Sequence, residues 1–207
     1  MEVISKVPVT LDERLEYGEE LRIRASWEEF LDLLDECEYR IEYDEGEIIS
    51  YMGYATEEHE TLVGEMIRLL GNLLSDMAYR VNGSNLALHI PGFVNRHYNA
   101  DCVVIKGGSE KITLRGDMTA VANPILIVEV LSPSNRDFDL NRKFKNYKKI
   151  PALQQVLFID SAERKVISHS RHDDWTPKIF DREGDTVSVL DAGTIALEEI
   201  YRKVVIG

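Results

Sequence analysis

The apolar positions change period along the chain, and those changes mark its elements. Ser26-Trp27-Glu28-Glu29 has the form of a capping box, and Phe30, Leu33 and Leu34 follow at helical spacing, which predicts a helix over 26–36. Residues 39–43 and 47–52 flank Asp44-Glu45-Gly46 and predict a hairpin. A longer helix is expected over 56–79, where Leu62, Val63, Met66, Leu69, Leu70, Leu73, Leu74 and Met77 form one stripe. Thr56 is placed to cap it, and Glu57, Glu58 and Glu60 suit the positive end of the helix dipole. Strands are expected over 84–90, 98–105 and 125–131, then a helix over 138–149 and a strand over 154–160. Gly107, Gly108 and Gly116 mark 106–123 as a long loop. Strands over 165–170 and 186–190 and a helix over 195–202 look peripheral.

From 56 to 160 the order is helix, three strands, helix, strand. The segment 125–131, Ile-Leu-Ile-Val-Glu-Val-Leu, is apolar on both faces except at one position. A strand of that kind lies inside a sheet covered on both sides, which predicts an α/β fold (α+β, mixed sheet). No repeat or low-complexity linker divides the chain. A single domain over 1–207 is expected, with its core at 26–170, an N-terminal arm over 1–25 and a C-terminal β appendage over 171–207.

Composition removes several classes. A 207-residue chain that is 44% hydrophobic can bury a real core. There is no apolar run of 18 residues to span a membrane and no apolar leader at the N-terminus. Two cysteines, Cys37 and Cys102, are too few for a disulfide scaffold or a four-cysteine zinc site. A cytoplasmic setting is the expectation. The net charge of −13 is unevenly spread: the first seventy residues hold 20 acidic and 6 basic side chains, the remainder 17 and 18. Nucleic acid would be repelled by that first third, yet not from a basic groove elsewhere. Nucleophile elbows, phosphate-binding glycine loops and dinucleotide fingerprints are missing.

Glu129 is the exception in the apolar strand, sharing a face with Ile125, Ile127 and Leu131 by period-two alternation. A carboxylate there needs a partner or a proton. Asp101 presents the same problem early in the 98–105 strand. If the two strands are neighbours, both carboxylates converge at one sheet edge, where a hard cation such as Mg²⁺ or Mn²⁺ would relieve their repulsion. The following stretch, 134–150, holds six basic residues against Asp137 and Asp139 and is the most basic part of the chain. Asp139, Lys143 and Tyr147 recur at helical spacing along one side of it. His59, beside Glu57, Glu58 and Glu60, is expected to be solvated or ion-paired.

Taken together, Glu42-Tyr43-Asp44-Glu45-Gly46-Glu47-Ile48, His59, Asn99-Ala100-Asp101, Glu129-Val130-Leu131-Ser132-Pro133-Ser134 and Asp139…Lys143…Tyr147 resemble the Uma-type family of endonuclease-like proteins. That family belongs to the PD-(D/E)XK restriction-endonuclease-like superfamily, and the resemblance covers about residues 24–170. It implies an αβββαβ core and a Mg²⁺- or Mn²⁺-dependent nuclease acting on DNA, working as a homodimer. Asp101 and Glu129 would hold the metal with the Val130 carbonyl. The superfamily's usual lysine position is occupied by Leu131, so the resemblance nominates Lys143 as the catalytic lysine, with Lys145 as the substitute. Asp139 and Tyr147 would orient it, Glu42 and His59 would lie near the site, and Arg142, Lys145 and Lys148 would contact phosphates. Ala100 stands where the family carries proline, which removes no ligand. The alternative is a nuclease fold kept as a non-cutting binding module.

Overall fold

The computed structural model describes residues 7–51, 56–75, 78–92 and 95–206. Met52 and Met77, which the sequence assigns to the hairpin and to the helical stripe, lie outside the described residues. Among those described, the main sheet has six strands in the order Pro177–Phe180, Val166–Ser170, Gln155–Asp160, Pro124–Leu131, Cys102–Lys106, Tyr79–Gly83. Pro124–Leu131 is central. It runs parallel to Gln155–Asp160 and antiparallel to Cys102–Lys106. Preceded by the helix Glu57–Leu73 and with a helical crossover between its parallel pair, this is the expected αβββαβ core.

Period-two alternation separates the two faces of the sheet. Cys102, Val104, Leu126, Val128, Val130, Leu157 and Ile159 pack under Leu62, Met66 and Leu70 of the long helix. Thr56 caps that helix by accepting from the His59 N–H at 3.3 Å. The same cluster contains Val187, Val189, Ile195, Leu197 and Ile200, so the C-terminal segment closes the core and is not an appendage. Its hairpin comes so near the long helix that a Cβ at Gly193 would lie 2.9 Å from Leu73 Cδ1. Val103, Ile105, Ile127, Leu131, Val156 and Phe158 face the other way, toward Tyr98, Phe138 and Tyr147.

A second sheet lies over this other face. Its order is Glu20–Arg24, Glu47–Tyr51, Glu42–Asp44, Arg96–Asn99, Ala87–Leu88, Met118–Val121, Lys111–Arg115. The helix Trp27–Glu36 packs on it through Phe30 and Leu31. Its start is the expected capping box: Ser26 Oγ accepts from the Glu29 N–H at 3.2 Å while Glu29 Oε2 accepts from the Ser26 N–H at 2.7 Å. The predicted hairpin closes through Glu45 (φ 51°) and Gly46 (φ 87°), the left-handed pair that a two-residue turn matching strand twist requires.

The structure corrects the sequence reading at several places. The long helix ends at Leu73, and the first core strand is Tyr79–Gly83, ahead of the expected 84–90. The expected 98–105 strand is two strands in two sheets, broken at Ala100-Asp101. The expected loop 106–123 folds into the hairpin Lys111–Arg115/Met118–Val121, turning near Gly116 (φ 53°). Glu20–Arg24, assigned to an arm, pairs with Tyr51–Glu47 as an edge strand. A register irregularity between Pro124 and Leu126 turns Ile125 to the long-helix face, away from Ile127 and Leu131. The expected 138–149 helix opens as a π-helix, Phe138–Lys143, before the α-helical turn Phe144–Tyr147. Wide turns of this type recur where side chains must be re-aimed at a functional site.

Candidate functional site

The site forms where the chain passes from one sheet to the other. Pairing between Cys102–Lys106 and the central strand stops at Val128↔Cys102, so the edge of the central strand beyond it is open. Asp101 occupies the bend just before Cys102 and fills that edge, its Oδ2 accepting from the Val130 N–H at 2.8 Å. The N–H and C=O of one strand residue point to the same edge. The Val130 carbonyl therefore faces the same way, with Asn135 Nδ2 at 3.5 Å.

Glu129 is 1% exposed, as its place in an apolar strand demands. Its Oε1 accepts from Tyr147 Oη at 2.5 Å and lies 3.4 Å from Lys143 Nζ. The Lys143 ammonium is itself buried, 2.9 Å from Glu42 Oε1, 3.1 Å from Asp139 Oδ1 and 3.5 Å from the Asn99 carbonyl. Glu42 Oε1 also accepts from the Asn99 N–H at 2.9 Å, tying the hairpin to the strand before Asp101. Glu42 Oε2 and both Asp139 oxygens are buried without a hydrogen bond, although Asp139 pairs electrostatically with Lys143. Three buried carboxylates thus share one ammonium.

The protonation equilibria follow from that imbalance. Burial, reinforced by the Asp139 and Asp101 charges, holds the Glu129 carboxyl well above the usual range despite Lys143. Burial likewise raises Asp139 to about 7. Burial opposes the charge on Lys143 too, but Asp139, Glu129 and Glu42 outweigh it and its pKa rises. Asp101 behaves oppositely to Glu129. Burial opposes its charge, but His59, the Val130 N–H and Arg40 prevail, and its pKa is lowered. His59 Nε2 lies 3.4 Å from Asp101 Oδ2, and Arg40 lies 3.5 Å from Oδ1. Burial works against the imidazolium, yet Asp101 and Glu60 raise its pKa.

A cavity of about 560 Å³ opens onto Asp101, Glu129, Lys143, Glu42 and His59 and onto the loop Ser132–Asn135. Asp139 and Tyr147 lie behind Lys143 and Glu129, buried and close to both. Arg142, Lys145 and Lys148 do not line the cavity. Arg142 is held by Asp44 at 2.6 Å and Glu45 at 3.0 Å, Lys145 is exposed, and Lys148 lies 4.9 Å over the Phe144 ring. Arg40 was not singled out from the sequence. It follows the predicted helix as one more surface cation, and only the fold brings it to Asp101.

The donors available to a cation are the Asp101 and Glu129 carboxylates and the Val130 carbonyl, all hard oxygens of the kind Mg²⁺ or Mn²⁺ accepts. The buried, unbonded oxygens of Glu42 and Asp139 add a deficit of positive charge. This donor chemistry fits a divalent cation. Among the described residues, however, no group of three His, Cys, Asp or Glu side chains is gathered as a ready coordination cluster.

A family model named Uma2 and described as "Putative restriction endonuclease" matches residues 27–198. The chain belongs to the Uma2 family. It is accordingly a member of the restriction-endonuclease-like superfamily, with that superfamily's mixed α/β fold. A Synechocystis protein named only as uncharacterized is 38% identical over 132 residues, 64% of this chain and 72% of its own length. A second uncharacterized Synechocystis protein is 26% identical over 181 residues, 86% of this chain and 92% of its own. The fold is also that of a crystal structure described as "a putative nuclease belonging to DUF820" from Anabaena variabilis. That match has a TM-score of 0.63 at 18% identity and covers 94% of this chain and 98% of the other. Among the described residues of this Uma2 protein, no helix is long and apolar enough to cross a membrane.

Proposed function

We propose that this Uma2 protein is a divalent-metal-dependent endonuclease that hydrolyses phosphodiester bonds of DNA. The observation that carries this reading is the position of Lys143, whose buried ammonium lies 3.4 Å from Glu129 in the cavity that Asp101 also lines. Asp101, Glu129 and the Val130 carbonyl would hold Mg²⁺ or Mn²⁺, which when bound would supply Lewis-acid polarisation of the phosphate and make water more acidic.

The chain's own residues do the rest. Lys143 stabilises negative charge developing on the phosphate or on the attacking oxygen. Tyr147 fixes the Glu129 carboxylate by its hydrogen bond, and Asp139 and Glu42 hold the lysine in place. Lys145 and Lys148, outside the cavity lining, would supply phosphate contacts to the flanking strand, while Arg142 serves the fold through Asp44. A homodimer would present one such cavity to each strand of a duplex.

Plasmid nicking with Mg²⁺ or Mn²⁺, and with EDTA, tests the reading. Nicking by the wild type that EDTA and Lys143→Met each abolish supports it. A folded wild type that cuts neither plasmid nor single-stranded DNA in either metal overturns it.

A further inference from the structure

A second cavity, of about 450 Å³, adjoins the first and shares with it Tyr39, Arg40, Asn85 and Glu38. Its apolar walls come from the helix Trp27–Glu36, through Leu34, and from the hairpin over 111–121, through Leu114 and Met118. Its floor is the strand Arg96–Asn99. Alternation along that strand sends Tyr98 into the core of the main sheet, while His97 packs beside Phe30 and lines this cavity with Asn99. His97 is 3% exposed, its ring interacts with the Asn99 side chain, and its Nδ1 is buried without a hydrogen bond of normal geometry. A polar atom in that condition is either a standing cost or half of a contact made by a ligand.

The volume lies within the range of small-ligand sites, and the mixture of apolar walls with a few polar groups is what such sites show. Its charges exclude an anion. Among the described residues on the wall the one basic side chain, Arg40, already faces Asp101, and Glu38 adds negative charge. Burial drives the His97 pKa down to about 4, so the ring is neutral at physiological pH. Cys37 and Tyr39 are turned to the Pro8 carbonyl, and the other polar side chains are amides, a hydroxyl and a neutral imidazole, from Asn85, Asn99, Thr119 and His97. That set can donate to and accept from the edge of a flat, uncharged heterocycle.

Asn99 also links this cavity to the metal-proximal one. Its backbone N–H is held by Glu42 and its carbonyl faces Lys143, while its side chain lines the second cavity. Asn99 lies two residues before Asp101, so a group lodged there would neighbour a phosphate held at Asp101 and Glu129. The geometry points to a nucleobase pocket: an unpaired base next to the scissile phosphodiester enters between Leu34 and Met118 and is read by His97 and Asn99. This rests on the nuclease reading above and narrows its substrate to single-stranded, or locally unpaired, nucleic acid.

The test is methyl NMR of methionine-labelled protein titrated separately with adenosine, guanosine, cytidine and thymidine, without metal. At least one nucleoside should shift the Met118 methyl saturably. Met118→Trp, which fills the cavity and removes the reporter methyl, and His97→Phe should each weaken that binding by about tenfold or more, near 1.4 kcal/mol, read in wild type and both variants from the nucleoside's own resonances by saturation-transfer NMR. Two variants are used because His97 is buried and its replacement could unfold the protein, whereas Met118 is half-buried. No shift with any nucleoside, or binding that survives Met118→Trp unchanged, overturns the pocket. The two readings fail separately. Cleavage of DNA without nucleoside binding removes the pocket alone, and nucleoside binding without cleavage of plasmid or single-stranded DNA removes the nuclease alone.

Discussion

Lys143 Nζ stands 2.9 Å from Glu42 Oε1, so a residue of the N-terminal hairpin and a residue of the crossover helix, 101 positions apart, meet inside the protein as a buried ion pair. Asp139 and Glu129 close on the same ammonium. Removing the ammonium leaves three buried carboxyls that must either stay charged and unpaired or take up protons, at a cost of up to about 3–5 kcal/mol. Lys143→Met should lose stability of that order at pH 7, by urea unfolding. The raised Asp139 carboxyl sets the sign of the pH effect. An acid whose folded pKa lies above its unfolded value destabilises increasingly as pH rises from about 4 to its folded value, so the penalty should shrink toward pH 4. A loss equal at both pH values would contradict the assignment.

Glu129→Gln should behave differently. Burial and the neighbouring carboxylates already disfavour the Glu129 charge, and Gln keeps the shape of the protonated form. Thermal unfolding should move by no more than about 3 °C, which corresponds to about 1 kcal/mol in a domain of this size. Affinity for Mn²⁺ should nevertheless fall by about tenfold or more. A variant that unfolds would make Glu129 a structural residue.

His97 sets an acid limit on stability. Its folded pKa of about 4 lies below the ordinary 6.5, so between those values the unfolded chain binds one more proton than the folded one. Its contribution is complete above pH 6.5 and is lost as pH falls toward 4, by up to ~3 kcal/mol at about 1.4 kcal/mol per unit. Stability against pH for wild type and His97→Gln should diverge across that window and run parallel above it.

Arg142 and Lys145 separate fold from binding. Arg142→Ala breaks the contacts to Asp44 and Glu45 and should cost about 1–2 kcal/mol, with little change in the salt dependence of DNA binding. Lys145→Ala should leave stability within about 0.5 kcal/mol and reduce the salt slope by about one. The reverse pattern would return Arg142 to the phosphate-contacting group.

Most of the core was legible because its signals are local. The capping box at Ser26, the cap at Thr56, the Glu45-Gly46 turn and the αβββαβ order all follow from residues a few positions apart. The break at Ala100-Asp101 was not legible, because an apolar alternating run looks the same whether one sheet or two sheets receive it. The 106–123 hairpin was hidden by glycines that suggested a loop, although Ile112, Leu114, Met118 and Ala120 already alternate on either side of Gly116. For the site, Asp101 and Glu129 stood out as charges in apolar strands, and the spacing of Asp139, Lys143 and Tyr147 put them on one side of a helix. Arg40 and His97 carried no comparable signal. Their roles depend on contacts that only the pairing of distant strands creates.

The most direct test of the central claim is titration calorimetry with Mn²⁺ on wild type and Asp101→Asn, with plasmid nicking on the same samples. The account predicts saturable binding and nicking by the wild type, and the loss of both in a variant that stays folded. Unchanged binding and nicking in Asp101→Asn would contradict it.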